Sequence, residues 1–584
     1  MHSVEPPRVS IYKKFVSIWT TEKLLWLVIA ITIVAIAIVP LLYVIDAAFS
    51  KETRIGLSDE FSWIAVLNVF TSNEYLGYLF STLTLASLVT VISLAVGVSM
   101  AVLIARTDIP QKSFFDLMII MPLFLSPFTG MMAWIALGSE KSGFINVFIR
   151  SIFEPFIANN FSIFNIWSYF GIVWVMVIFF TPFAYLFTVG NLRGMDSSLE
   201  EAARTHGASA IKTLFKISLP LSVPAIFGSG LLIFILACEM YTIPGMIGSN
   251  IGYTTLPWKI YKDINGVPVR LAHAAASGSL LLCITCFGIW LQRRITGKTE
   301  RFATVTGKGF KTRDMQLGRY KYIAVFFLSL YILASDILPF VGLLLSSLMK
   351  YSAPSITLEV FTWQNFYEFF KLQNMVNALW NTVFLAILSS IICVIMGLFI
   401  SYMEVRRPSI STKLLAFIGV LPVAVPGIVY GIGLMWTFLK TPLYGTIWVL
   451  LLAYIAKFLP YSIVVSRAGV QQIHPELEQS ARICGATALK AMQKITIPIL
   501  KPTLIAILFF VSLMSIKELS ASILLYTQRS QVLSVLTWHY MDAGNYQFAA
   551  AIGVLQTLIM IALIFITRRI FNVQLEKTIS KHGA

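Results

Sequence analysis

The sequence predicts an all-α membrane protein of about twelve transmembrane helices, arranged as two tandem six-helix units. Composition is the first reason. Of 584 residues, 57% are hydrophobic and only 12% are charged, against about 25% charged in soluble domains. Apolar runs of about 20 residues recur along the whole length, each enough to cross a hydrocarbon core as a helix. The second reason is a repeat. Glu200–Pro224, EEAARTHGASAIKTLFKISLPLSVP, returns as EQSARICGATALKAMQKITIPILKP at Glu478–Pro502, at a constant offset of 278 with no gap. Each copy is polar and lies between long apolar runs.

The spans follow in order. The first unit (1–292) has Leu24–Phe49, Tyr78–Ile104, Phe115–Leu137, Ile166–Val189, Val223–Tyr241 and Leu271–Leu291. A basic linker (293–321) leads to the second unit (322–584), with Tyr322–Met349, Val376–Met403, Leu415–Leu439, Thr446–Ser466, Thr503–Leu519 and Phe548–Thr567. No cleavable leader is expected, because Met1–Thr21 is polar and the first apolar run already has spanning length. The net charge of +17 comes from Lys and Arg clustered beside apolar runs, so the positive-inside rule accounts for it and nucleic acid is not needed. Lys13, Lys14 and Lys23 place the N-terminus in the cytoplasm. Counting alternately then puts the loops Ala105–Lys112 and Glu404–Lys413, the linker, the C-terminal tail with Arg568 and Arg569, and both copies of the repeat on that same side.

The repeat extends beyond the two loops. Pro40 matches Pro339, Ser81–Ala86 resembles Asn381–Ala386, Gly97 matches Gly397, Pro122 matches Pro422, and Phe180–Pro182 matches Phe458–Pro460. Each unit has an even number of spans, so the duplication is parallel, of the kind that places a pathway between the halves. The first unit carries an extra stretch of about 22 residues near Gly138–Asn160 on the outer side.

Each polar loop reads as two short helices joined at a glycine. Ser197 or Ser198 can N-cap the first helix, with Glu200 or Glu201 three residues on, and Pro475 takes the first-turn place in the second copy. Beyond Ser209, Ile211, Leu214 and Phe215 form an apolar stripe between Lys212 and Lys216; Leu489 and Met492 repeat it beside Lys490 and Lys494. Pro220 and Pro498 are expected to end the short helices before the next span. A single loop of this kind could lie on the headgroups. Two copies at identical spacing point to a shared docking task for a pair of identical partner subunits.

EEAARTHGAS…ISLP resembles the EAA loop of ABC importer permeases, in which EAA is followed by three residues, a glycine and, nine or so residues later, I-x-LP. The resemblance covers nearly the whole chain, because a fused pair of six-span units is a known variant. It implies two type I ABC importer permease units whose loops (197–220 and 475–498) seat their first helix in a groove on an ATP-binding subunit. Glu201, Ala202, Ala203 and Gly207 would carry that coupling in the first unit, and Gln479, Ser480, Ala481 and Gly485 in the second. Gln479 stands for the usual glutamate and Ser480 for an alanine, with Glu478 adjacent. Cys238–Gly248 with Tyr253–Leu256, and Ile516–Leu525 with Val532–Ala551, resemble fused permeases of the ferric-iron, thiamine and 2-aminoethylphosphonate type. The implied setting is a bacterial inner membrane with both termini cytoplasmic. The implied partners are a homodimeric ATP-binding subunit inside and a soluble substrate-binding protein outside. The implied cargo is ferric iron first, with thiamine, 2-aminoethylphosphonate or polyamine as alternatives.

No ATP site is expected in this chain. Gly297-Lys298-Thr299 mimics the end of a phosphate loop, yet Gln292 stands where its first glycine is required. No nucleophile–base pair or metal set stands out among His206, His273, His474 and His539, so neither enzyme activity, metal nor cofactor is expected. The five cysteines (Cys238, Cys283, Cys286, Cys393, Cys484) read mostly as small core residues, and Cys283-x-x-Cys286 lacks the partners that zinc or redox chemistry needs. Charges inside spans are expensive and few. Glu239, Lys517 and Glu518 lie near the outer ends of the fifth and eleventh spans, Glu239 and Lys517 being related by the offset of 278. They read either as a charged ring at the pathway exit, or as a Lys517 that snorkels outward beside Glu518. Pro127, Gly130, Pro426 and Gly427 could loosen the third and ninth spans. An ion-coupled secondary transporter is the alternative class; it would need intramembrane carboxylates or broken helices, and these look sparse.

Overall fold

A computed structural model describes residues 26–53, 56–153, 162–195, 197–296, 315–353 and 357–571. The N-terminal lysines, Gly297-Lys298-Thr299 with most of the basic linker, and the last residues of the tail lie outside these. Ten helices are long and apolar enough to cross a membrane, and two further helix pairs pass the same test together but are bent by 99° and 114°. With each bent pair taken as one span, the order is six and six. The only sheet among the described residues is a hairpin that the sequence reading left out, Ser50–Thr53 against Gly56–Phe61, antiparallel, just after the first span.

The two bent spans are the third (Lys112–Phe124 with Pro127–Gly138) and the ninth (Ile410–Val423 with Gly427–Leu439). Proline is the cause. Pro127 pushes Ser126 into an extended conformation, and Pro426 does the same to Val425. In each copy a tight 3-10 turn (Met121–Phe124, Leu421–Ala424) closes the inner helix before the chain turns and starts again. The sequence reading, which drew both as spans that proline and glycine merely loosen, is corrected to two true breaks.

The remaining prolines are absorbed differently. Pro40, Pro220, Pro339 and Pro498 each sit just after a π-helical turn (Val34–Ile38, Leu214–Ser218, Leu333–Ile337, Met492–Thr496). Proline has no N–H to give and its ring crowds the carbonyl four residues back. Widening one turn relieves both problems without breaking the helix. Pro220 and Pro498 therefore do not end the short helices: the fifth span runs unbroken from Ala210 to Glu239.

Matched glycines set the packing inside each unit. A Cβ at Gly97 would stand 2.8 Å from the Thr181 carbonyl oxygen, and one at Gly397 would overlap the Ser462 hydroxyl. The second span thus lies against the fourth, and the eighth against the tenth. Between units the first spans are exchanged. The first span, Trp26–Ala48, packs on the outer part of the broken ninth, where Gly433 leaves room for the Pro40 carbonyl and the Tyr430 hydroxyl donates to the Ile36 carbonyl. The seventh packs on the outer part of the broken third, Gly342 against Leu137. The main core is continuous across both units. Cys238 and Cys393 are buried as expected, whereas Cys283 and Cys286 lie on the exposed face of the sixth helix and are not core residues.

Candidate functional site

Both polar loops fold alike. The first helix, Ser197–Thr205 or Pro475–Ile483, ends at a glycine in the left-handed region, Gly207 at φ 80° and Gly485 at φ 85°. The amide of that glycine donates to the carbonyl three residues back, and the next amide to the one five back: 2.9 and 3.0 Å in the first copy, 3.0 and 3.0 Å in the second. This pair of bonds is a Schellman closure, which needs a residue at ease with positive φ. No atom stands within 4 Å of where a Cβ would be at either glycine, so the requirement is one of backbone alone. Gly207→Ala is expected to destabilise the loop by about 1–2 kcal/mol, and Gly207→Asn by less. Faster amide exchange at Arg204–Ala208 without loss of the folded membrane domain would register it.

What fixes each loop to the bundle is a carboxylate that the sequence reading offered only as a capping candidate in the first copy, Glu200, and as the neighbour of Gln479 in the second, Glu478. Glu200 is 7% exposed and Glu478 5%. Glu200 accepts from the Ser218 hydroxyl at 2.7 Å and pairs with Arg106 at 3.1 Å; Arg106 also donates to the Leu192 carbonyl at 2.7 Å. Glu478 repeats this with Thr496 at 2.7 Å and Arg406 at 3.2 Å, and Arg406 donates to the Ile473 carbonyl at 2.7 Å. One difference separates them. Glu478 also accepts from the Tyr402 hydroxyl at 2.9 Å, and the matching place in the first unit is Val102. Each buried arginine thus ties the inner end of the second or eighth span to the start of a loop, and the glutamate hands the tie to the following span.

The residues named from sequence lie on the other side of these helices. Glu201, Ala202, Gly207, Gln479, Ser480 and Gly485 are exposed, and Ala203 and Ala481 are half-buried. Glu478 cannot replace Gln479 as a surface charge, because its carboxylate is turned inward. Two exposed leucines at the same offset, Leu199 (40%) and Leu477 (49%), complete the outward face. Sequence reasoning missed them, although the repeat itself marks the pair.

A second charged group sits at the centre of the bundle, where the broken spans meet the outer ends of the fifth and eleventh. Lys517 does not snorkel and does not pair with Glu518. Its ammonium reaches into the other unit and donates to the Leu123 carbonyl at 2.6 Å, inside the break of the third span. A broken helix frees carbonyls that lipid cannot satisfy, and the lysine fills that need. Glu518 pairs instead with Lys457 of the tenth span at 2.7 Å and accepts from the Ala521 amide at 2.8 Å. Lys457 rests over Gly427, at the start of the outer part of the ninth span. Glu239 is the last residue of the fifth span's helix. The partner of Glu518 is thus Lys457, a lysine the sequence reading passed over.

On the face opposite the repeated loops, a cavity of about 410 Å³ opens between the units. Its rim includes Ser139–Ser142, the start of the extra stretch, facing Ser346, Ser352 and Gln547. The buried Asn146 holds this stretch in shape, donating to the Ser139 and Phe164 carbonyls at 3.0 and 2.7 Å. Among the described residues no group of three or more His, Cys, Asp or Glu is arranged to hold a metal ion.

Comparison with known proteins agrees with the duplicated arrangement. The family described as "Binding-protein-dependent transport system inner membrane component" matches residues 93–300 and again 393–581. The chain is 25% identical over 493 residues to the ferric transport system permease protein FbpB of Actinobacillus pleuropneumoniae, covering 83% of this chain and 69% of that one. It is 24% identical over 551 residues to the Fe(3+)-transport system permease protein FbpB 2 of Haemophilus influenzae, covering 93% and 98%. Among solved structures, a bacterial ABC transporter involved in alginate import aligns with a TM-score of 0.36 at 19% identity, over 43% of this chain and 95% of that chain.

Proposed function

Since the chain belongs to the family of binding-protein-dependent transport system inner membrane components, we propose that it is the complete membrane pathway of an ATP-driven importer, with both permease units in one polypeptide. A separate homodimeric ATP-binding subunit grips the two repeated loops from the cytoplasm, and a soluble binding protein delivers cargo from outside. The observation that carries this is the pair of identically built loops. Each is pinned to the bundle by a buried glutamate–arginine tie and shows the same outward face, Leu199, Glu201 and Ala202 in one copy and Leu477, Gln479 and Ser480 in the other. Two like arms on one side suit two like motor subunits, and a stiff tie turns their movement into movement of whole spans.

Ferric iron is the proposed cargo, on the strength of the two ferric permeases that span most of the chain; thiamine, 2-aminoethylphosphonate and polyamines are the alternatives. The two broken spans and the Lys457–Glu518 pair supply features that an ion-driven carrier needs and that the sequence reading found sparse, so energy source is the property to test. Proteoliposomes holding the chain, the ATP-binding subunit and the binding protein should take up the solute only with ATP inside, and the chain alone should hydrolyse none. Deleting Gly207–Leu214 should abolish uptake while membrane insertion persists. Uptake that survives ATP removal and collapses with an ionophore would reverse the assignment.

A further inference from the structure

The second and eighth spans are each entered through a short helix, Ile64–Thr71 and Gln364–Lys371, with Trp63 and Trp363 as the residues just ahead. The two are matched at an offset of 300. The spans themselves run Asn73–Arg106 and Gln373–Arg406, and their arginine ends tie the repeated loops. The short helices therefore lie at the opposite face. At about 100° per residue, each divides into three sectors. The inward one is apolar and packed: Ala65 and Val69 are buried where the first helix meets the sixth span, and Phe369 where the second meets the twelfth. The next is apolar and bare. Trp63, Leu67 and Phe70, with their matches Trp363, Tyr367 and Phe370, are 47% to 74% exposed. The last is bare and mostly polar: Asn68 and Thr71 beside Ile64 in one copy, Gln364, Glu368 and Lys371 in the other.

Water around the whole helix would leave the bare apolar sector unsheltered, and hydrocarbon around it would strand the polar one. Three sectors suit a helix lying along the boundary, with protein beside it, acyl chains beneath and water above. The spans that follow set that boundary at the same height. Beneath the first helix, Leu76 and Phe80 are exposed on the second span, and Leu88 and Val91 carry the bare face onward. Beneath the second, Trp380, Phe384, Ile387 and Ile391 do the same on the eighth. The surface that hydrocarbon must cover thus runs up to each short helix and meets its apolar sector. Trp63, Trp363 and Tyr367 are the side chains favoured at that level, where a ring touches acyl chains and headgroups together.

We propose that Ile64–Thr71 and Gln364–Lys371 are a matched pair of interfacial anchors, lying along the leaflet opposite the repeated loops and holding the entries of the second and eighth spans at a fixed depth. Lipid, and not a soluble partner, covers their bare apolar sector. The test needs neither cargo nor motor subunit. Leu67→Cys, Asn68→Cys, Tyr367→Cys and Glu368→Cys would each be made in a chain with the exposed Cys283, Cys286 and Cys484 replaced by serine and the buried Cys238 and Cys393 kept. Each variant is spin-labelled and placed in phosphatidylethanolamine–phosphatidylglycerol liposomes, with a water-soluble nickel chelate on both sides. Collision with oxygen, which gathers in hydrocarbon, is compared with collision with nickel. The oxygen-to-nickel ratio at Leu67→Cys and Tyr367→Cys should exceed that at the neighbouring Asn68→Cys and Glu368→Cys at least fivefold. Where a cysteine variant does not reconstitute, fluorescence quenching by brominated lipids that falls on Trp63→Phe or Trp363→Phe reads the same placement, and unchanged quenching overturns it. Nickel-dominated collision at all four positions, with shelter only when an external soluble protein is added, would make the sector a protein-docking site and overturn the anchor. Oxygen-dominated collision at all four would mean wholly sunken helices and overturn it too.

Discussion

Arg106→Met should abolish transport and loosen the first loop, and it should do more damage than Arg406→Met. Arg106 and Glu200 have side chains only 7% and 9% exposed, and removing one partner of a buried ion pair costs about 3–5 kcal/mol, because the other charge is left uncompensated. With Arg106 gone, Glu200 keeps the Ser218 hydroxyl. Glu478 in the same position would keep both Thr496 and Tyr402. A hydrogen bond to a charged group is worth about 1.5–3 kcal/mol, so the second loop should lose only about half as much. Amide exchange at Glu201–Ala208 and at Gln479–Ala486, compared between the two variants, reads the difference directly. Equal loosening of the two loops would mean that Tyr402 is packing and not anchorage.

The next largest effect is expected from Lys457→Met. Glu518 is 6% exposed and would keep only its bond from the Ala521 amide, again at a cost of about 3–5 kcal/mol. The consequence should spread, because Glu518 lies between the lysine that fills the broken third span and the helix Leu533–Asp542, whose Ser534 hydroxyl donates to the Glu518 carbonyl at 2.6 Å. A lower melting temperature in detergent, together with lost transport, is the expected pair of results. Lys457→Met combined with Glu518→Gln should recover most of the stability, because the uncompensated charge has gone. Should the double variant melt no higher than the single one, the lysine matters for shape and not for charge.

Much of this was legible in the sequence because a gapless repeat shows twice what one copy shows weakly. The spans, their order and the glycine at the turn of each loop all follow from matched positions, and Gly97 and Gly397 stood out as a pair, though their close packing did not. The inward anchor was not legible. Glu200 and Glu201 are adjacent, and one residue turns a helix by about 100°, so only the docked helix decides which carboxylate is buried. The repeat held a clue, because Glu200 with Ser218 and Glu478 with Thr496 recur at one offset, but spacing does not say that they touch. Lys457 and Glu518 are 61 residues apart, and nothing local joins them. The breaks were hidden for another reason: a proline in a membrane helix is as readily absorbed by a wide turn, as at Pro220, as by a fracture, as at Pro127. What differs is the neighbouring unit, whose first span lies against each fracture.

That exchange of first spans bears on how the protein is made. Trp26–Ala48 finds its partner in the other unit only when Gly427–Leu439 has left the ribosome, and about 380 residues separate them. At roughly 5–20 residues per second this is a delay of about 20–80 s. Through that interval the first span rests on lipid and on the sixth span of its own unit, and its one charged side chain, Asp46, is kept close to its end.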